Sequence, residues 1–470
     1  MNYDYKKLFS TKRMRQTTIS RLSPIEEFYS DRSRLIYSSS FRRLQQKAQV
    51  FSLESNSSVR TRMTHTLEVS DIGRSLSNEI AQRLYKNGYI DQSEIGLIVS
   101  IVENACLLHD IGNPPFGHFG EEAIRNWARL TFSEKGVERF NVPDKEQFDK
   151  LTEDFKQFDG NPQGLRVITK LHTERDRYSL NLTYATLLCS MKYVRAAGEK
   201  SELPNTKKAG YFISEKDIIE DLWKEVKIKE HTRYPFAYLM EASDDIAYCM
   251  SDISDGIEKG IVTLQGFARE FRKMWKELYK RQKCPVRIRQ TATSFNQEVS
   301  IPWSKKTMEE AVERFFECHE DFYFGRQSDL IPEDGMGRVL KTMKEVSKKI
   351  LYSSVHAESI ELTGYAVITG ILKQYERILL MPNKVFSKLV EGESVDGYDY
   401  EKRLFHRLGR RCVQAYKYEI ETITNESPDM YLTKELWYRI HLIIDHVSGM
   451  TDEYALETYQ MLEGISLLKI

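Results

Sequence analysis

The sequence predicts a mostly α-helical protein, and three observations support this fold class. Apolar residues recur at spacings of three and four along most of the 470 residues. Few segments alternate as strands do; the exception is 284–303, whose alternating β-branched residues indicate a small β-hairpin. No glycine-rich phosphate-binding loop of either common type occurs. We therefore expect helices packed on helices, with one small hairpin at most.

Composition excludes several classes of protein. The 69 basic and 69 acidic residues give a formal net charge of zero, unlike a generic binder of nucleic acid or of membrane surfaces. The six cysteines are scattered without a C-x-x-C pair, so neither a disulfide framework nor a thiolate zinc site is expected. There is no apolar signal core and no apolar run of about 18 residues. We expect a cytoplasmic protein without a membrane segment.

The N-terminal part begins with a polar, basic stretch, residues 1–23, which we expect to be a flexible arm. A helical pattern then runs from Ile25 to Gln49. A second helix should begin near Arg62, because apolar residues follow at helical spacing and place His65 on its buried face. The residues of that face are His65, Val69, Ile72, Leu76 and Ile80.

A third helix should end at His109 and Asp110. Gly112 and the pair Pro114–Pro115 follow at once, and both residue types stop helices. The buried face of this helix consists of Ile98, Ile101, Val102, Ala105 and Leu108. An imidazole and a carboxylate thus emerge together from the end of a packed helix.

A long helix is predicted from Pro235 to Ile257. Asp244, Tyr248 and Asp252 lie at i, i+4 and i+8 and so share one stripe, whereas Asp245 is rotated away from it. Amphipathic helices are expected over 261–470.

Two histidines and two carboxylates on three helices suggest a metal site. His65, His109, Asp110 and Asp244 would suit Mn²⁺, Fe²⁺ or Mg²⁺ better than structural zinc. A single buried histidine is more often a core residue than a ligand, so the hypothesis depends on the joint pattern.

His118 and Glu121 should share the first face of a new helix after the proline turn. Glu121 could accept a hydrogen bond from one imidazole nitrogen and leave the other free for acid–base or nucleophilic work. A plain helix-capping arrangement is the alternative. Arg62, one turn before His65, could present its guanidinium to a phosphate.

Five stretches, among others, resemble the HD-domain superfamily of metal-dependent phosphohydrolases and, within it, the bacterial deoxyguanosine triphosphate triphosphohydrolases. They run in family order along nearly the whole chain. They are SDRSRLIYSSSFRRLQQKAQVF (30–51), RTRMTHTLEVSDIGRSL (60–76), HDIGNPPFGHFGEEAI (109–124), EASDDIAYCMSD (241–252) and DHVSGMTDEYA (445–455).

The resemblance implies a helical HD core over 24–260 and a C-terminal part, 261–470, that packs on this core and completes the nucleotide pocket. It implies hydrolysis of dGTP to deoxyguanosine and tripolyphosphate with Mn²⁺ or Mg²⁺. It also implies a homo-oligomer, commonly a hexamer, and single-stranded DNA as a candidate effector.

The resemblance also assigns roles to individual residues. The metal ligands would be His65, His109, Asp110 and Asp244. The catalytic pair would be His118 and Glu121. The triphosphate contacts would be Arg62, Lys192, Tyr193 and Lys208. The sugar contacts would be Gln49, Tyr248 and Asp252. The base contacts would be Tyr352, by stacking, and Glu361, by accepting from the N1 and N2 hydrogens of guanine.

Three alternatives stay open from the sequence. One is a broad-specificity dNTP triphosphohydrolase activated by nucleotide. Another is an HD enzyme acting on a different phosphoester, such as a cyclic dinucleotide. The third is a regulatory protein with a relic site, which the intact ligand set and the His118–Glu121 pair disfavour.

Overall fold

The computed structural model describes residues 3–19, 21–53, 56–200, 202, 205–280 and 282–466. These residues form twenty α-helices, and their only β features are three isolated bridges. The predicted mostly α-helical class is therefore confirmed. No helix among the described residues has the length and apolar character needed to span a bilayer.

The first ten helices carry most of the predicted site. They are α1 (Pro24–Ile36), α2 (Ser39–Arg43), α3 (Arg62–Lys86), α4 (Ile95–Leu108), α5 (Gly117–Thr131), α6 (Lys145–Lys156), α7 (Gly160–Arg166), α8 (Tyr184–Cys189), α9 (Lys216–Glu225) and α10 (Ala237–Glu258).

The other ten helices complete the chain. They are α11 (Leu264–Tyr279), α12 (Ile301–Glu317), α13 (His319–Tyr323), α14 (Gly335–Ser347), α15 (Val355–Leu379), α16 (Asn383–Val390), α17 (Asp399–Phe405), α18 (Arg410–Thr422), α19 (Pro428–Ser448) and α20 (Asp452–Leu462). Three π-helical turns adjoin α7, α12 and α14, at Val167–Leu171, Asn296–Ser300 and Lys348–Tyr352.

The predicted β-hairpin at 284–303 is wrong. This segment is irregular up to residue 294 and then turns into the π-helical residues that precede α12. Its apolar side chains, including Ile288, Phe295 and Val299, are buried against α11 and α14 rather than against a partner strand. Packing onto neighbouring helices overrides the strand preference of β-branched residues.

The described part of the N-terminal stretch up to Arg15 packs against the rest of the protein, which differs from the flexible arm expected for residues 1–23. Tyr5 and Leu8 lie in the core, at 1% and 0% exposure. Arg13 is buried and pairs with Glu27 at 2.6 Å and with Asp31 at 2.5 Å. Because a buried guanidinium is costly unless it is paired, these two carboxylates of α1 fix the segment in place.

The centre of the first core is the contact between α3, α4 and α10. Val69 and Leu76 of α3 and Ile101 of α4 are fully buried there. Gly73 lets α3 approach α4 closely, because a Cβ at this position would lie 2.5 Å from the Cys106 sulfur. This close packing holds the ends of the helices that carry the predicted metal ligands.

A second core joins helices from both halves of the chain. Trp127 of α5, Phe155 of α6, Tyr375 of α15 and Trp437 of α19 all belong to it. The C-terminal helices thus pack directly on the helix that carries His118. The division into 24–260 and 261–470 stays a prediction.

Candidate active site

Three of the four predicted metal ligands converge at the meeting point of α3, α4 and α10. His65 Nε2 lies 3.3 Å from Asp244 Oδ1, and His109 Nε2 lies 3.6 Å from the same oxygen. One ligand atom from each residue can be chosen so that all three lie within 4.8 Å of one another. This spacing allows the three atoms to surround one ion.

The buried imidazole nitrogens fit a metal. His109 Nδ1 lies 2.7 Å from the carbonyl oxygen of Cys106. Since a carbonyl only accepts, Nδ1 carries the hydrogen and Nε2 is left with its lone pair. That Nε2 atom is buried and has no hydrogen-bond partner among the described residues. A buried nitrogen whose lone pair accepts no hydrogen bond is suited to bind a metal ion.

Asp244 is suited to remain ionised. Burial alone would raise its pKa, but His109, His65 and Lys192 hold the pKa of this carboxyl well below its ordinary value. The deprotonated form is the one that binds a cation.

Asp110 is held at the edge of this cluster. Its Oδ1 lies 3.6 Å from His109 Nε2, while its Oδ2 accepts a 2.7 Å bond from Arg62 Nη1. Burial raises the pKa of Asp110, but Arg62 and the two imidazoles outweigh that effect and lower it. Its role as the fourth ligand stays a prediction, as does the phosphate contact of Arg62, whose guanidinium orients Asp110 here.

The turn between α4 and α5 is fixed by contacts from distant segments. Phe116 has a left-handed backbone with φ of 60°, and its N–H donates to Asp452 Oδ1 at 3.0 Å. Lys47 Nζ donates to the Asn113 carbonyl at 2.5 Å and to the Ser448 carbonyl at 2.9 Å. Burial lowers the pKa of Lys47 to about 7. The roles of Lys47 and Asp452 were not predicted, because no local sequence pattern links these distant residues to the turn.

His118 and Glu121 form the predicted pair at the start of α5. His118 Nδ1 lies 3.1 Å from Glu121 Oε2, and this hydrogen bond raises the pKa of the imidazole. Glu121 is buried, whereas the His118 side chain is 88% exposed and faces outward. Glu121 is thus placed to orient an imidazole whose Nε2 is open to a substrate.

The helix-capping alternative does not hold for α5, the helix that carries His118 and Glu121, but Glu121 does accept an N–H at the start of another helix. The first turn of α5 has no side-chain cap. Glu121 Oε1 instead accepts the Gly160 N–H at 2.8 Å, at the beginning of α7. Glycine at position 160 lets Asn113 approach closely, because a Cβ there would lie 2.0 Å from Asn113 Oδ1 and would displace that side chain.

The predicted phosphate contacts lie beside the metal cluster and His118. Lys192 pairs with Glu241 at 3.2 Å, and the nearby carboxylates, Asp244 among them, raise its pKa despite burial. Lys208 pairs with Asp159 at 2.6 Å and is close enough to lower the pKa of His118. Tyr193 is half-buried; burial raises the pKa of its hydroxyl, and both lysines act to lower it.

The predicted sugar contacts include a chain of buried hydroxyls. Tyr248 and Tyr352 share a 2.8 Å hydrogen bond, and the Tyr352 hydroxyl donates to Asp252 Oδ2 at 2.5 Å. Burial raises the pKa of Asp252 to about 7. Asp252 Oδ1 and Gln49 Oε1 are buried without a partner among the described residues, as acceptors awaiting a hydroxyl would be.

The two predicted base contacts are in different surroundings. Tyr352 is joined to the sugar residues through its hydroxyl, a contact that the sequence did not indicate. Glu361 of α15 is on the His118 side: burial and Glu358 raise its pKa, and His118 lowers it. Their roles toward a base stay predictions.

His65, His109 and Asp244 follow one another along the chain and converge where α3, α4 and α10 pack together, as in an HD-domain protein. The HD domain family model matches residues 62–189. A deoxyguanosinetriphosphate triphosphohydrolase from Serratia proteamaculans (strain 568) is 35% identical over 93% of this chain and 94% of its own length. One from Yersinia enterocolitica (serotype O:8 / biotype 1B) is 34% identical over 93% of each chain. The chain belongs to the deoxyguanosinetriphosphate triphosphohydrolase family, as its motifs predicted.

Proposed function

We propose that this protein hydrolyses dGTP to deoxyguanosine and tripolyphosphate with the help of a divalent metal ion. The observation that carries the proposal is the cluster of His65, His109 and Asp244 beside the His118–Glu121 pair, in a chain whose relatives are named for dGTP triphosphohydrolysis. The substrate is inferred from the names of the relatives, and the metal-assisted hydrolysis is inferred from the arrangement of these side chains.

The ion would be held by His65, His109 and Asp244, with Asp110 as the fourth ligand. When bound, Mn²⁺ or Mg²⁺ polarises a phosphoryl oxygen and lowers the pKa of a coordinated water. Arg62 keeps the Asp110 carboxylate ionised and oriented through their 2.7 Å bond.

His118 is the proton donor for the leaving group in this proposal. The hydrogen bond to Glu121 raises the pKa of His118, which favours the protonated imidazolium that can act as a donor. A water oxygen bonds to the α-phosphorus and releases a proton to solvent, the bond from phosphorus to the 5′-oxygen breaks, and His118 delivers its proton to that oxygen. The neutral imidazole then regains a proton from solvent. The products are deoxyguanosine and intact tripolyphosphate, and Glu121 stabilises the charged imidazole before the transfer.

The remaining predicted residues hold the substrate. Lys192, Lys208 and Arg62 supply positive charge for the triphosphate, and Tyr193 supplies a hydroxyl. The unpartnered oxygen of Asp252 would accept the hydrogen of the 3′-hydroxyl, and Gln49 would contact the sugar through its amide group. A packed pocket beside Tyr248 and Tyr352 would disfavour a ribose 2′-hydroxyl.

A broad-specificity dNTP triphosphohydrolase is the second candidate, and one observation favours it. The Tyr352 hydroxyl is committed to Asp252, so that Glu361 is the only predicted polar group left for recognising the base. One carboxylate reads guanine through the N1 and N2 hydrogens, but a single contact of this kind gives limited discrimination. Oligomeric state, a DNA effector and a cytoplasmic location stay predictions.

The test is to incubate the protein with each of the four dNTPs and with Mn²⁺ or Mg²⁺, and then to identify the phosphate product. We expect tripolyphosphate, formed fastest from dGTP, and loss of this product in His118→Ala and in Asp244→Ala. Exposed residues give matched controls, His406→Ala and Asp217→Ala, which should keep full activity. Equal rates on all four dNTPs would replace strict dGTP use with the broad specificity, and pyrophosphate or orthophosphate would refute the mechanism.

A further inference from the structure

A second concavity opens between α2, the segment before α18 and the end of α19. Its volume is about 630 Å³, and none of the residues predicted for metal, catalysis or substrate binding lines it. Four arginines from two segments of the chain face it, which are Arg43, Arg407, Arg410 and Arg411.

The charge of these arginines is largely uncompensated. Arg411 pairs with Glu174, but Arg43, Arg407 and Arg410 have no carboxylate within 4 Å among the described residues. Arg43 donates to the Ser40 hydroxyl, at 3.1 Å. Asp445 also lines the concavity, yet its two oxygens accept from the buried Arg166 at 2.9 and 2.9 Å. A concave surface with three guanidinium groups that lack an ion-pair partner concentrates positive potential.

The beginning of α18 adds to this potential. Arg410 is the first residue of this 13-residue helix, and the preceding Gly409 offers no side-chain cap. The N–H groups of its first turn therefore lack intrahelical acceptors, and Gly409 to Cys412 line the concavity. Free N–H groups at a helix start favour anions.

Burial and the charge of these arginines lower the pKa of two neighbouring histidines. Burial and Arg43 lower the pKa of His446, which lines the concavity, to about 4. Burial, Arg411 and Arg43 lower the pKa of His172, which contacts Ser40 of the lining, to about 3. Both imidazoles are thus neutral, so the positive charge that would hold an anion comes from the arginines and the helix start.

We infer that this concavity binds a triphosphate group through Arg43, Arg407, Arg410 and the first turn of α18. Guanidinium groups match phosphate oxygens in a bidentate manner, and several adjacent charges call for a ligand with several negative charges. The volume accommodates a free tripolyphosphate or the triphosphate of a nucleotide. This site is distinct from the metal cluster and does not depend on the proposed reaction.

Isothermal titration with inorganic tripolyphosphate, at low salt and without added metal, tests the inference. Arg407 and Arg410 are exposed, so Arg407→Ala/Arg410→Ala should fold normally. We expect the full-length wild type to show one binding event per chain that this variant lacks or shows at least tenfold more weakly. Arg74→Ala/Arg269→Ala removes two exposed arginines elsewhere and should leave that event unchanged. Equal isotherms for the wild type and the Arg407/Arg410 variant would overturn the inference.

Further titrations identify the source of the triphosphate. ATP binding at least tenfold more tightly than tripolyphosphate would assign the site to a nucleotide, and equal affinities would assign it to the free anion. Either result supports the inference, provided that the Arg407/Arg410 variant abolishes the binding. Citrate binding as tightly as tripolyphosphate would overturn the phosphate assignment. An oligothymidylate that binds through Arg407 and Arg410 while tripolyphosphate does not would overturn it in favour of nucleic acid.

Discussion

Asp452→Asn is the substitution that most sharply tests how the turn between α4 and α5, just before His118, is held. Asp452 is 4% exposed, and its Oδ1 and Oδ2 accept from the backbone N–H groups of Phe116 at 3.0 Å and of Ala48 at 3.1 Å. Asparagine keeps one acceptor and turns the other oxygen into an NH₂ group that faces an N–H donor. One bond to a charged acceptor is lost and one buried donor is left unpaired, which costs about 3 kcal/mol of unfolding free energy.

Urea denaturation of the wild type and of Asp452→Asn measures this cost directly. The exposed Asp429 in the first turn of α19 offers a matched control, and Asp429→Asn should change the unfolding free energy by less than about 0.5 kcal/mol. Because Phe116 leads into the helix of His118, kcat should also fall by about tenfold or more. An unfolding free energy and a kcat both equal to those of the wild type would refute the claim that Asp452 holds the turn.

Four further outcomes are expected, three at the candidate active site and one at His446. His118→Ala should lower kcat by about 10²- to 10⁴-fold and leave Mn²⁺ affinity unchanged in a metal titration. A fall in Mn²⁺ affinity as large as the fall in kcat would contradict a proton-transfer role for His118. Glu121→Gln removes the group that raises the pKa of His118, so the corresponding limb of the kcat/KM profile should move to lower pH; a shift to higher pH would contradict the assignment. Asp244→Asn should weaken metal binding, and chelation should stop turnover in the wild type until Mn²⁺ or Mg²⁺ is restored. His446, with its pKa lowered from 6.5 to about 4, binds a proton less readily when folded, so the wild type should lose about 3 kcal/mol of stability relative to His446→Asn between pH 6.5 and 4; parallel stability curves would refute this.

Helical periodicity was sufficient to predict that His65, His109 and Asp244 lie close together. His65 lies at the start of α3, His109 just beyond the end of α4 and Asp244 within α10, and each of these helices has a continuous apolar face. Such faces fix which side of a helix is buried, so polar residues on or beside the packed faces could be expected to meet.

Contacts across long sequence separations could not be predicted in this way. The Tyr352 hydroxyl reaches Asp252 across 100 residues, and Asp452 reaches Phe116 across 336. Both depend on how whole helices are arranged, which no local spacing encodes. The hairpin prediction failed for the related reason that apolar alternation indicates burial on one side without saying whether a strand or a helix covers it.

The most direct test of the central claim is hydrolysis of dGTP in water enriched in ¹⁸O. Attack of water at the α-phosphorus, with the proton from His118 going to the 5′-oxygen, predicts one ¹⁸O atom in tripolyphosphate and none in deoxyguanosine. Label in deoxyguanosine, or label in released orthophosphate or pyrophosphate, would contradict the account.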